Sequence, residues 1–272
     1  MIKRLKTMWG GYSPLRRAYR GLRPRWMARM TPAGGAIHRF VGENGLTVRR
    51  GPFLGMRFPP RADGRASFLA AKLLGSYECE LYPALLRAIA GHPSCVVDVG
   101  AAEGYYAVGL AMRTDPAIEV HAFETDRASR HLCRDMGELN GVADRLRLRG
   151  ACDPDALADV LCDRAFILCD CEGCETELLN PVRVPKLATS TILAELHPLA
   201  RAGVEATLRE RFAATHRVIV LRPEPRDQAE WEELADRDAR TAFLLLSEGA
   251  PSTDRAADFQ RYWLLMTPAE SK

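Results

Sequence analysis

From about residue 94 onward, short runs of consecutive apolar residues alternate with longer stretches that have helix-like apolar spacing. Short apolar runs bounded by turn signals predict strands buried on both faces. Such runs fall at Cys95–Val99, Val120–Glu124, Leu146–Arg149, Phe166–Cys169, Thr191–Leu196, Val218–Leu221 and Tyr262–Met266. The stretches between them predict helices. Tyr105–Arg113 has helical length. In Arg127–Asn140, Leu132, Met136 and Leu139 share one face before Asn140-Gly141 supplies a stop. A later helix is predicted near Asp236–Leu246, followed by a loop over Glu248–Asp258. This alternation predicts βαβ units in an α/β fold, a doubly wound and mostly parallel sheet with helices on both faces.

Upstream the pattern is less regular. Pro59-Pro60-Arg61-Ala62-Asp63-Gly64 is a break. Ser67 to Ala90 predicts one or two helices, interrupted near Pro83, and the run LTVRRGPFLGMRF within the first 60 residues predicts a small strand pair. The chain therefore divides into an extension over residues 1–75 and a main domain over 76–272.

Composition adds bounds. The 272 residues are 47% hydrophobic and 27% charged, which excludes a disordered or fibrous chain and leaves enough apolar surface for a core. No apolar run approaches the ~18–20 residues of a membrane span. The net charge of +3 hides an asymmetry: residues 1–42 carry ten basic residues and no acid, while the rest carries 28 basic against 35 acidic, a net of −7. Met1–Lys6 is charged, but no apolar stretch follows, so a secretory signal is not expected. Trp9, Tyr12, Leu15, Tyr19, Leu22 and Trp26 interleave with the arginines. Two readings stand for this basic extension: an arm for an anionic surface, lipid headgroup or nucleic acid, or a helical segment whose aromatics pack on the main domain.

Eight cysteines in a chain of this size do not make a disulfide framework. Cys169, Cys171 and Cys174, in the run CDCEGC, are expected to pack as small hydrophobes. No second CxxC pair follows to complete a zinc site. Free thiols would place the protein in a reducing, cytoplasmic compartment.

The strongest chemical signal is CVVDVGAAEGYYAVGLA, residues 95–111. A buried strand runs through Asp98 into Gly100, then Gly104, then a helix. Gly100 allows a tight turn, and Gly104 allows close approach of a ligand or neighbouring backbone. The spacing is GxxxG, not the GxGxxG of dinucleotide sites, and no Walker-type Lys-Ser/Thr follows. Glu103 inside the turn is expected to repel a pyrophosphate. Glu124, at the end of the second predicted strand, stands where an acid accepts hydrogen bonds from ribose hydroxyls. Two further strands end in acids, in FILCDCEGCETELL and ILAELHP. In an open parallel sheet, ligands bind beyond the carboxyl ends of the strands. Asp98, Glu124, Asp170, Glu172, Glu195 and His197 are thus expected on one rim, where so much acid suits a cationic ligand.

These motifs, in this order, resemble those of class I S-adenosylmethionine-dependent methyltransferases, and in detail the FkbM family: DVGAAEG, AFET, DCEGCE and ELHP stand where that family has DVGA-x-x-G, AFEP, D-x-EGAE and E-x-H. The resemblance covers residues 76–272. Thr125, Cys171 and Cys174 depart from the family pattern, and residues 1–65 match no motif. The resemblance implies a Rossmann-like seven-stranded sheet with an antiparallel last strand and S-adenosyl-L-methionine as cofactor. It implies Asp98, Gly100, Ala101 and Gly104 in the cofactor turn, Glu124 at the ribose, Cys152 and Asp153 near the adenine, and Asp170 near the methionine end. Glu78, in a Tyr77-Glu78 pair like the family's, would close over the cofactor.

The implied reaction is O-methyl transfer to a hydroxyl of a small molecule or glycan. Asp170 and His197 are the candidate catalytic residues. His197 is either the general base, given its ordinary pKa, or a buried structural histidine. No metal is expected, although Asp170, Glu172, Glu195 and His197 could offer hard ligands to magnesium. The acidic body makes nucleic acid an unlikely partner. Two alternatives remain open: an RNA or protein methyltransferase using the basic arm, and a non-catalytic cofactor-binding protein. The acceptor and the oligomeric state stay open, a homodimer included.

Overall fold

The computed structural model describes residues 31–62, 68–197, 202–248 and 261–269. The aromatic and basic residues up to Met30 and most of the loop expected over Glu248–Asp258 lie outside the described residues.

Seven strands form one sheet: β1 (Val96–Val99), β2 (Val120–Phe123), β3 (Leu146–Arg149), β4 (Phe166–Cys169), β5 (Thr191–Leu196), β6 (His216–Leu221) and β7 (Tyr262–Pro268). Their order is β3-β2-β1-β4-β5-β7-β6. The first five are parallel, and β7 runs antiparallel between β5 and β6. This is the doubly wound α/β sheet expected, with the antiparallel last strand.

The central strands are mostly apolar because both faces are covered. Val96 packs into one core and Val97 into the other, and in β4 Phe166 and Leu168 face one side while Ile167 and Cys169 face the opposite one. This is the two-residue alternation of a pleated strand, with both faces dry. β3, at the edge, buries Leu146 but exposes Arg149.

Nine α-helices are described: α1 (Pro32–Asn44), α2 (Leu69–Leu74), α3 (Tyr82–Ala90), α4 (Tyr105–Arg113), α5 (Arg127–Leu139), α6 (Pro154–Val160), α7 (Glu175–Leu178), α8 (Val204–Phe212) and α9 (Ala239–Leu246). α5 starts where the Asp126 side chain accepts from the Ser129 amide at 2.7 Å. Pro83 sits in the first turn of α3. There its missing N–H costs nothing, so it begins a helix instead of interrupting one. The strand pair expected in LTVRRGPFLGMRF is reduced to a single antiparallel bridge, Thr47 with Arg57. That segment is nevertheless anchored: Phe40, Phe53 and Phe58 are buried in the same core as Val96 and Val108. No helix among the described residues is long and apolar enough to cross a membrane.

Register positions the chemistry. Val99 lies opposite Phe123 on one side and Cys169 on the other. Cys169 in turn lies opposite Ala194. The next residue of each strand, Gly100, Glu124, Asp170 and Glu195, therefore emerges at one level.

Candidate active site

Gly100 turns the chain sharply at the end of β1, with φ of +92°. A Cβ there would meet the Asp170 carbonyl oxygen at 1.8 Å. The turn and the end of β4 are thus in backbone contact, and only glycine allows it. Gly104 has φ of +98°, and its added Cβ would meet Cys133 Sγ of α5 at 2.5 Å. Its freedom serves packing of α5 against the turn. We expect Gly100→Ala to cost about 3 kcal/mol or more, from backbone strain plus the clash. Thermal melting checks this, and an unchanged melting temperature would refute the contact.

Glu124 braces the same turn. One carboxylate oxygen accepts from the Ala102 amide at 3.0 Å and the other from the Asp126 amide at 2.6 Å. Ala102 itself has φ of +46°. Asp98 is buried, and neither of its carboxylate oxygens has a close hydrogen-bond partner among the described residues. Burial, with the nearby charges of Glu124 and Glu103, pushes its carboxyl up to about 7.

Glu103 does not do what was expected of it. It is buried and ion-paired with Lys72, itself buried. The Lys72 ammonium also lies 4.6 Å from the centre of the Tyr77 ring. The charge of Glu103 is met inside the protein, so it supplies no unbalanced repulsion.

A small cleft of about 50 Å³ opens beside this turn. Glu78, Gly100, Ala101 and Asp170 line it, together with Lys72, Glu103, Leu168 and the aromatic side chains Tyr77, Tyr105, Tyr106 and Trp263. Glu78 sits in the left-handed region, φ +46°. Its amide donates to Glu248 Oε1 at 2.9 Å, and its carboxylate accepts from the Tyr106 hydroxyl. Arg226 fastens this segment by donating to the Ser76 carbonyl at 3.0 Å and to Glu248 Oε1 at 2.8 Å. Burial, then the charge of Glu195, pushes the Glu78 carboxyl up to about 8.

The remaining acids surround one imidazole. His197 Nε2 lies 3.3 Å from Glu195, 3.7 Å from Asp170 and 3.9 Å from Glu172, and its Nδ1 lies 3.5 Å from Glu175. Burial disfavours a charged ring, but Glu175 and Glu195 outweigh it and push His197 up to about 11. Burial and the neighbouring Glu195 raise the Asp170 carboxyl well above the usual carboxylate range. Glu195 moves the other way: burial works against it, but contact with His197 and Asp170 lowers its pKa. Arg261 Nη1 stands 3.8 Å behind it. At neutral pH His197 is therefore an imidazolium with no lone pair to receive a proton. The general-base role expected of it does not fit this arrangement.

Asp170, Glu172 and His197 each offer one atom, all within 4.8 Å of one another. A divalent cation could use them only after His197 gave up its proton.

Of the expected cofactor residues, Asp98, Gly104, Glu124, Cys152 and Asp153 do not line the cleft. Asp153 caps α6, accepting from the Ala156 amide at 2.8 Å. Cys152 is buried beside it. A second correction concerns the cysteines. Cys169 packs as expected, fully buried, but Cys171 and Cys174 are joined as a disulfide. The inference from free thiols to a reducing compartment fails for that pair.

No protein-family model matches this chain, and no curated protein matches it. Solved structures do. A precorrin-6Y C5,15-methyltransferase from Geobacter metallireducens aligns at 15% identity and TM-score 0.44, covering 70% of this chain and 89% of that one. The O-methyltransferase TomG from Streptomyces achromogenes aligns at 10% and 0.44, covering 90% and 94%. An O-methyltransferase from Bacillus cereus aligns at 10% and 0.45, covering 90% and 96%. At such identities and scores none of these likenesses speaks to chemistry.

Sequence reasoning missed Glu175, Lys72, Tyr106, Arg261 and Trp263. Glu175 was within reach, as the last acid of DCEGCE. Tyr106 stands inside the run of residues 95–111, two positions after Gly104, while Lys72, Arg261 and Trp263 come from parts remote in the chain and carry no local signal.

Proposed function

We propose that this chain is an S-adenosylmethionine-dependent methyltransferase that methylates a hydroxyl of a small molecule or glycan. One observation carries the reading: the ends of adjacent parallel strands bring a glycine turn, Glu124 and Asp170 to one level, beside a cleft lined by Glu78 and aromatic side chains. The residues fit the cofactor by their chemistry. Glu124 keeps lone pairs for ribose hydroxyls. Glu78 suits an ammonium group, and the rings of Tyr77, Tyr106 and Trp263 suit a sulfonium.

When bound, the cofactor supplies an electrophilic methyl group. This chain's residues then have two tasks, orientation and proton removal. An alcohol is a weak acid, so a base must take its proton during attack. We assign that step to the Asp170 carboxylate. The His197 imidazolium 3.7 Å away favours its ionised form, and its side chain remains 33% exposed, open to an acceptor. His197, as imidazolium, holds Asp170, Glu172, Glu175 and Glu195 together against their mutual repulsion. It is a positioning residue in this reading.

Calorimetry tests the cofactor. S-adenosylmethionine or its demethylated product should bind and NAD should not. Glu124→Ala should weaken binding by about 1–3 kcal/mol, the loss of a charge-assisted hydrogen bond. Unchanged affinity would remove Glu124 from the site.

A further inference from the structure

The Cys171–Cys174 disulfide spans a turn that the proposed reaction does not use. Within it, Glu172 has φ of +58° and Gly173 φ of +111°. The left-handed region is unfavourable for a residue with a Cβ, so Glu172 stays there only if something holds it. The bond brackets these two residues. The same short segment carries Asp170, Glu172 and Glu175, three of the four carboxylates around His197. Both bonded cysteines are half-buried, so a small reagent can reach them.

We propose that Cys171–Cys174 is a thiol–disulfide exchange site, with a small dithiol as its co-reactant, and that the bond holds the acidic turn in its binding-competent form. The exchange balances as follows. A thiolate of the dithiol attacks one sulfur of the pair, forming a mixed disulfide and releasing the other cysteine as a thiolate, which takes a proton. The second thiol of the reagent then attacks the mixed disulfide. It frees the remaining cysteine and leaves as the reagent's own disulfide. Two electrons and two protons pass to the protein.

Cys169 stands behind the bond, fully buried, with its Sγ 3.8 Å from Cys171 Sγ.

Thiol counting, amide exchange and ligand binding test this. Alkylation of the unfolded, non-reduced protein should label six of the eight cysteines, and all eight after dithiothreitol. The Gly173 amide donates to Glu175 Oε1 at 2.9 Å. Its hydrogen exchange should quicken at least tenfold on reduction, and affinity for S-adenosylhomocysteine should fall about tenfold. A Cys171→Ser, Cys174→Ser double variant should behave as the reduced protein with or without dithiothreitol. Eight labelled cysteines in air-purified protein would overturn the proposal. So would equal Gly173 exchange in both redox states, whether or not the double variant folds. The affinity readout alone rests on the proposed cofactor: if S-adenosylhomocysteine binds neither state, that reading falls, while thiol count and exchange still decide this one.

Discussion

Asp170→Asn is expected to lower turnover by roughly 10²–10⁴, the range for loss of a positioned acid–base group, while cofactor affinity stays within about tenfold. The amide keeps the shape of the carboxyl and leaves the Asp170 backbone carbonyl against Gly100, so the turn survives. Asparagine cannot take a proton. Single-turnover rates beside calorimetric binding separate the two effects. A parallel pair of variants isolates His197. His197→Gln removes the cation that offsets four carboxylates, so their pKa values rise and the acid limb of the pH–rate profile moves to higher pH. His197→Lys keeps a positive charge and should return the limb part of the way. A role in packing alone would leave that limb in place. If Asp170→Asn abolishes cofactor binding, Asp170 belongs to the cofactor and not to the proton. If a chelator abolishes wild-type turnover and magnesium restores it, the activating role passes to a metal at Asp170, Glu172 and His197.

The protein should lose stability as pH rises from 5 to 9. Asp98 and Glu78 drive this. Their carboxyls ordinarily titrate at 3.8 and 4.5 and are held at about 7 and about 8 in the fold. Below pH 4 both the folded and unfolded chains keep these protons. Between 4 and 8 the unfolded chain has released them and the folded one has not, so unfolding is favoured progressively. Above 8 the penalty is complete. One pKa unit is ~1.4 kcal/mol, so the two buried acids contribute roughly 4–5 kcal/mol each. His197 acts in the same direction at higher pH. Its charged form is favoured by the fold, its contribution is complete below 6.5, and it fades as pH rises through about 11. Melting temperatures across the range check the slope. Asp98→Asn with Glu78→Gln should flatten it, and a melting temperature that climbs from pH 5 to 9 would refute the assignment.

The central strands were legible because buried parallel strands read as near-continuous apolar runs, as in FILC. The GxxxG turn was legible because glycine punctuates a strand-to-helix junction. What lay beyond reach was adjacency. Asp170 and Glu195 are 25 residues apart in the chain, and only the pairing of β4 with β5 sets them side by side. Each acid was visible, but their convergence on one imidazole was not, so an ordinary histidine pKa was assumed. Glu103 was misread for a related reason. Its partner Lys72 lies on a short helix before the first strand, and no local pattern announces a buried pair. The Cys171–Cys174 bond was missed because the cysteines were weighed as a framework or a metal site, and a single CxxC bridge is neither.

The last strand of the sheet also bears on how the chain is made. β7 enters between β5 and β6, so β6 has no neighbour until residues 262–268 have left the ribosome. Trp263 of the cleft and Arg261 behind Glu195 arrive with it. A nascent chain can therefore assemble β1 to β5 early, as domains do during synthesis, yet it presents two open sheet edges and an incomplete site. Open edges template aggregation. Chains cut short before Arg261 would thus lack both residues of the site and be conspicuous to chaperones and proteases.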